Sequence, residues 1–73
     1  MDPHTLKLAI DDMLQSMRDR LEEASAIAKA ATTCAEAGNH DQAVTIALDI
    51  EQLVYEVNTL LNAASLIRRC NSP

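Results

Sequence analysis

The sequence predicts an all-α protein, an antiparallel hairpin of two long helices that dimerises into a four-helix bundle. Apolar residues recur at helical spacing along nearly the whole chain, and a single glycine interrupts the pattern at position 38. The apolar stripe of the second half is too wide for one partner helix to cover. Since 73 residues seldom build a core worth more than ~3–5 kcal/mol, we expect one domain, residues 1–73, that is completed by association.

Helix one is predicted over about residues 3–37. Asp2 and Pro3 read as an N-cap followed by proline at the first helical position. The residues that follow fit a seven-residue, coiled-coil-like frame in which three positions are apolar. The first position holds Ile10, Met17, Ala24 and Ala31, the second holds Met13, Ile27 and Cys34, and the third holds Leu14, Leu21, Ala28 and Ala35.

A turn is predicted at residues 38–40, and helix two over about 41–70. Gly38 suits the left-handed residue that ends many helices. Asn39 is the expected N-cap of helix two, and Gln42, three residues later, completes a capping-box pattern. Helix two carries the wide apolar stripe, formed by Ala43, Ile46, Ala47, Ile50, Leu53, Val54, Val57, Leu60, Leu61, Ala64 and Ile67.

Antiparallel pairing of the helices predicts a hairpin that is thin at the turn and bulky at the open end. The Ala-rich residues 24–35 face residues 43–53, whereas the larger side chains of 13–21 face 56–64. Two hairpins packed antiparallel would place the thick end of each against the thin end of the other. The sequence leaves open whether the dimer is parallel or antiparallel. It also leaves open a hairpin whose core is completed by a different protein. The predicted dimer interface comprises Ile10, Met13, Leu14, Met17, Leu21, Ile50, Leu53, Val57, Leu60, Leu61 and Ile67.

Arg20 interrupts the apolar positions of helix one. The antiparallel register places Glu56 beside it, which predicts an ion pair that fixes the register of the bundle. The alternative is that Arg20 extends its guanidinium to water.

The net charge of −5 argues against two classes of partner. Non-specific nucleic-acid binding needs uncompensated Lys and Arg, and an anionic membrane surface also attracts basic segments. No apolar run reaches about 18 residues, so no membrane span is predicted. The first residues lack the basic and apolar regions of a signal peptide, which predicts a cytoplasmic protein with reduced thiols.

The sequence predicts no enzyme activity, no cofactor and no metal site. Its carboxylates mostly lie off the apolar stripe, without a nucleophile or a phosphate-binding glycine loop beside them. The hairpin places Cys34 and Cys70 too far apart for a disulfide. One alternative remains open: an antiparallel dimer would bring His40 of one chain towards His4 and Cys70 of the other, three groups that can bind zinc.

A second apolar line on helix two predicts a contact with an unidentified partner protein. Val44, Leu48 and Tyr55 lie away from the main stripe, with Leu66 further along. Several apolar residues on one face of a polar surface indicate a contact site, and Tyr55 is the only aromatic residue. The predicted function is therefore a small protein–protein interaction module that forms homodimers and binds or inhibits a partner, as a regulator, adaptor or co-chaperone.

Two features of the sequence resemble known families: a short segment at the turn and the layout of the whole chain. Residues 36–48, EAGNHDQAVTIAL, resemble the turn and second-helix start of a tetratricopeptide repeat. The whole-chain layout resembles both a plasmid-encoded regulator, which dimerises and grips paired RNA loops through helix one, and the small helical co-chaperones of type III secretion. The resemblance to the plasmid-encoded regulator implies an alternative function, an RNA-binding dimer that uses Lys7, Arg18 and Lys29.

Overall fold

The computed structural model describes residues 2–70 and confirms the all-α prediction. Helix α1 spans Pro3–Glu36, α2 spans His40–Ala47 and α3 spans Asp49–Cys70. The long α1 packs against α2 and α3, which together form one bent helix running in the opposite direction. The result is a rod of 55 × 15 × 12 Å, in which almost every side chain is close to solvent.

Helix α1 begins at the predicted cap. Asp2 has an extended backbone, with φ −74° and ψ 158°. Its carboxylate accepts hydrogen bonds from the Thr5 backbone N–H at 2.9 Å and the Thr5 hydroxyl at 2.8 Å. These bonds lower the pKa of Asp2, because they favour the charged carboxylate. The cap therefore satisfies one of the backbone donors that every helix start leaves unpaired.

The chain reverses over three residues between Glu36 and His40. Gly38 has φ 93°, the left-handed conformation expected there. Its N–H donates to the Ala35 carbonyl at 2.9 Å, and the Asn39 N–H donates to the Cys34 carbonyl at 3.2 Å; these two bonds define a Schellman motif. Asn39 then caps α2, because its side-chain oxygen accepts the Gln42 N–H at 3.2 Å.

The predicted continuous helix two is bent at Leu48. This residue keeps helical dihedrals, φ −61° and ψ −25°, but its carbonyl accepts the Glu51 N–H at 3.1 Å, an i→i+3 bond that tightens the turn. The next helix starts with Asp49 and Glu51 in its first turn, where the helix dipole favours negative charge. The bend therefore has a local physical basis without a glycine or proline.

The core lies in a single line between the helices and is thin. Its most buried residues are still 7–9 % exposed, and no large side chain of residues 2–70 is fully enclosed. Alanines supply the buried positions near the turn, Met17 and Leu53 lie further along, and towards the open end the buried residue is again an alanine, Ala64. The buried residues are Met17, Ala31, Ala43, Leu53 and Ala64.

Candidate protein-interaction face

The hairpin leaves one line of apolar residues exposed on each helix. Of the three apolar positions in the seven-residue frame of α1, the first two are buried or half-buried, and the third is largely exposed. Two members of the wide stripe on α3 are also exposed, Val54 by 46 % and Leu61 by 52 %. We call these lines together the open face; it is formed by the exposed residues Leu14, Leu21, Ala28, Val54 and Leu61 and by the half-buried Ala47 of α2, seven residues before Val54.

Two shallow grooves show that both lines lie on the same side of the rod. Near the turn, one groove is lined by residues of both helices, with Val44 of the predicted partner line at its edge: Ala31, Thr32, Ala35, His40, Ala43, Val44 and Ala47. Ala35 and Ala47 lie seven residues beyond Ala28 and before Val54, so each continues one line of the open face. Near the open end, the second groove joins α1 to Leu61, because its lining includes Ile10 and Ala64.

A polar cluster occupies the other side of the rod. Arg20 Nε donates to Glu56 Oε1 at 2.8 Å, and Arg20 Nη1 donates to the Ser16 carbonyl at 3.1 Å. Gln52 Nε2 donates to the second Glu56 oxygen at 3.0 Å. The Arg20 and Glu56 side chains are each 35 % exposed, so the structure brings the predicted pair together in a half-buried, multiply hydrogen-bonded setting.

The Arg20–Glu56 contact fixes which residues of the open face are neighbours. The helices run antiparallel, so moving from Arg20 towards the N-terminus matches moving from Glu56 towards the C-terminus. Leu14 therefore lies at the level of Leu61. Leu21, one residue from Arg20 in the other direction, lies at the level of Val54.

The hydrogen bonds at Glu56 change its titration. The hydrogen bond donated by Gln52 is the largest cause, and the one donated by Arg20 the next, of a pKa of the Glu56 carboxyl below its ordinary value of 4.5. A carboxyl whose pKa is lower in the folded state contributes stability above its unfolded pKa. That contribution is lost as the pH falls from the unfolded pKa through the folded one.

We expect Glu56→Gln to lose less stability than the wild type between about pH 6 and pH 3. The measurement is the urea midpoint, followed by circular dichroism at each pH. Glu22→Gln is the matched control, because its carboxylate lies 3.8 Å from Arg18 with both side chains about two-thirds exposed, a setting in which ion pairs contribute little. If Glu56→Gln and wild type show the same pH dependence, the Glu56 hydrogen bonds do not contribute to it.

The predicted dimer-interface residues divide into two groups. Leu14, Leu21 and Leu61 are exposed, each by 52 %, and lie on the open face. The other residues of that prediction lie between the helices of one hairpin, buried or half-buried. This second group comprises Ile10, Met13, Met17, Ile50, Leu53, Val57, Leu60 and Ile67.

The predicted partner residues are among the most exposed apolar groups of the chain. Val44 is 61 % exposed, Leu48 60 % and Tyr55 66 %. Leu48 lies at the bend, and Tyr55 lies seven residues further along, in α3. They follow Ala47 and Val54 of the open face by one residue, so their line runs along the outer surface of α2 and α3 beside that face.

The basic residues of the predicted RNA-binding alternative lie on the surface of α1. Lys7, Arg18 and Lys29 are exposed. Among the described residues, no group of three His, Cys, Asp or Glu side chains is placed to hold a metal ion. Cys34 and Cys70 are free thiols, and Cys34 Sγ donates to the Asn39 carbonyl at 3.4 Å.

None of the helices in the described residues is long and apolar enough to cross a membrane. No protein-family model, curated protein or solved structure matches the chain. The fold and the open face therefore define its class, an all-α helical hairpin with one polar and one apolar side.

Proposed function

We propose that this chain is a small protein–protein interaction module that self-associates and binds or inhibits a partner protein, as a regulator, adaptor or co-chaperone. The observation that carries the proposal is the number of large apolar side chains left in water. Nine of them are 46–66 % exposed: Leu8, Leu14, Leu21, Val44, Leu48, Val54, Tyr55, Leu61 and Leu66.

Isolated exposed leucines are ordinary on a protein surface, but grouped ones indicate a contact site. Most of these nine residues fall into two lines, one on the open face and one through Leu48 and Tyr55. Burial of one such side chain is worth ~1.5–3 kcal/mol. A molecule with a core as thin as this one therefore gains a large part of its stability by covering the lines.

The two lines support a division of roles. The open face draws on both helices and is broad enough for a second helical hairpin. The line through Val44, Leu48 and Tyr55 draws on α2 and α3 alone, and it offers an aromatic side chain of the kind enriched at binding hot spots. We assign the first surface to self-association and the second to the partner protein. The Arg20–Glu56 pair holds the helices in the register that aligns the two halves of the open face.

We also propose that the protein acts in the cytoplasm, where its two free thiols remain reduced. Self-association is tested by light scattering coupled to size exclusion. The protein concentration runs from about 1 to about 100 µM, which spans the dissociation constants expected for an interaction module. We expect a mass of twice the 8.0 kDa chain at the upper end. A mass of one chain throughout contradicts self-association.

Partner binding is tested with Tyr55→Ser, compared with Leu8→Ser on the outer surface of α1. We expect affinity columns carrying the wild type or Leu8→Ser to retain one protein that high salt does not remove and that mass spectrometry identifies. A column carrying Tyr55→Ser should not retain that protein. If the purified chain instead carries absorbance at 260 nm that is removed by high salt, the partner is a nucleic acid, and the assignment to a protein partner is wrong.

A further inference from the structure

We infer that the open face is covered by a second copy of this chain, antiparallel to the first, with the two-fold axis at the level of Leu21 and Val54. The inference rests on the proposed self-association and adds its surface, its direction and its residue pairs. Three properties of the structure support it: the surface area, the taper of the open face and the charges at its ends.

The surface area of the single chain exceeds that of a compact protein by about one interface. The chain exposes 5433 Å², whereas a compact monomer of 8.0 kDa exposes about 4,450 Å². Its radius of gyration is 16.8 Å, compared with about 11 Å for a compact domain of this length. A standard protein interface buries about 800 Å² on each partner. One second copy on the open face therefore accounts for the excess of about 1,000 Å².

The taper of the open face selects the antiparallel direction on α1. Along this helix the face is formed by Leu14, Leu21 and Ala28, one residue every two turns, or about 10.5 Å. A two-fold axis at Leu21, perpendicular to the rod, places Leu14 of one copy against Ala28 of the other. Each large side chain then meets a small one, and Leu21 meets its own symmetry mate.

The same axis produces the same pairing on the second helix. Val54, at the level of Leu21, meets its symmetry mate, and Leu61 meets Ala47 of the second copy. The helices can therefore stay at the 8–10 Å spacing of packed helices along the whole interface. A parallel two-fold arrangement would instead place Leu14 against Leu61 and Ala28 against Ala47 of the second copy, so that large meets large, small meets small, and a gap is left near the turns.

Charge complementarity at the ends of the open face supports the same direction. One step before Leu14 the line reaches Lys7, and one step after Leu61 it reaches Arg68, so the line itself ends in a basic residue on each helix, with Asp11 four residues after Lys7. Beside the turn lie Glu36 and Asp41, and all these charged side chains are exposed. The antiparallel dimer places Lys7 against Ala35, next to Glu36, and Arg68 against His40, next to Asp41. A parallel two-fold dimer instead places Lys7 against Arg68 of the other copy, and like charges repel.

Cysteine cross-linking of the full-length chain tests the arrangement. The background carries Cys34→Ala and Cys70→Ser, so that each further cysteine is the only thiol. In a glutathione redox buffer, we expect Leu21→Cys to form a disulfide-linked dimer by itself. Leu14→Cys and Ala28→Cys should each remain unlinked alone and should cross-link when mixed. In the antiparallel dimer the two copies of residue 14 are about 21 Å apart along the helix direction, beyond the ~4.4–6.8 Å between Cα atoms that a disulfide needs.

Leu8→Cys, an equally exposed leucine on the outer surface of α1, is the control and should not cross-link. The fold of each variant is checked by circular dichroism, and its mass under reducing conditions by light scattering. A dimer in which Leu14→Cys does not link to Ala28→Cys overturns the antiparallel arrangement and leaves self-association standing. A chain that remains at 8.0 kDa overturns self-association and this inference together.

Discussion

Leu21→Lys will convert the dimer to monomers, and Leu8→Lys will leave it intact. The two leucines lie on the same helix and are exposed to the same extent in the single chain, by 52 % and 55 %. They differ in direction: Leu21 belongs to the open face, and Leu8 faces outward beside Thr5 and Asp12. A difference between the variants therefore reports the location of the interface.

The expected effect of Leu21→Lys is large because a two-fold interface contains the substituted residue twice. Each leucine removed from the interface loses ~1.5–3 kcal/mol of burial, so two raise the dissociation constant at least about a hundredfold. The two lysines also meet near the axis, where like charges repel. Leucine and lysine have similar helix propensities, so the helix itself should be unaffected.

The measurement is sedimentation equilibrium over a range of concentrations, with helicity checked by circular dichroism. We expect Leu8→Lys to have a dissociation constant within about twofold of the wild type, since surface substitutions away from an interface have small effects. Equal weakening by both variants would indicate a general effect of charge. An unchanged constant for Leu21→Lys would exclude the open face as the site of dimerisation.

The position of the open face shows how far the sequence determines a surface. The seven-residue frame predicts three apolar positions on α1, but it cannot distinguish which two face the second helix, since all three carry similar residues. The structure shows that Met13 and Met17 lie in the two covered positions, and that Leu21 lies in the third. The choice depends on the packing angle between the helices, which residue periodicity does not specify.

Val54 illustrates the same point on α3. It belongs to the predicted apolar stripe but not to the predicted dimer interface, although it lies one heptad from both Ala47 and Leu61. A search for heptad-spaced residues on the edge of the stripe would have found it. The polar side was predictable in part: the antiparallel register indicates Arg20 beside Glu56, whereas the bond from Gln52 depends on side-chain conformations that spacing alone leaves free.

The bend at Leu48 marks the limit of local sequence signals. Kinks are usually attributed to proline, glycine pairs or inserted residues, and this stretch has none of them. The bend coincides with the i→i+3 hydrogen bond from the Glu51 N–H to the Leu48 carbonyl, a local tightening that residue periodicity does not predict.

Leu53→Ala will destabilise the folded protein by about 2–4 kcal/mol, the cost of truncating a buried leucine, and Leu66→Ala will have a small effect. Leu53 is 9 % exposed between the helices, and Leu66 on the same helix is 53 % exposed. The change in Leu53 is comparable to the whole stability of a helical core of this size, ~3–5 kcal/mol. We therefore expect Leu53→Ala to be partly unfolded at low concentration.

Urea denaturation followed by circular dichroism measures the effect at several protein concentrations. Because only the folded hairpin presents a complete open face, dimerisation stabilises it by mass action. The midpoint of wild type and of Leu53→Ala should rise with protein concentration, and higher concentration should restore helicity to the variant. Combining Leu53→Ala with Leu21→Lys should abolish this recovery, because the open face would no longer supply the stability that the thin core lacks. A concentration-independent midpoint for Leu53→Ala alone would show that the hairpin folds without its second copy.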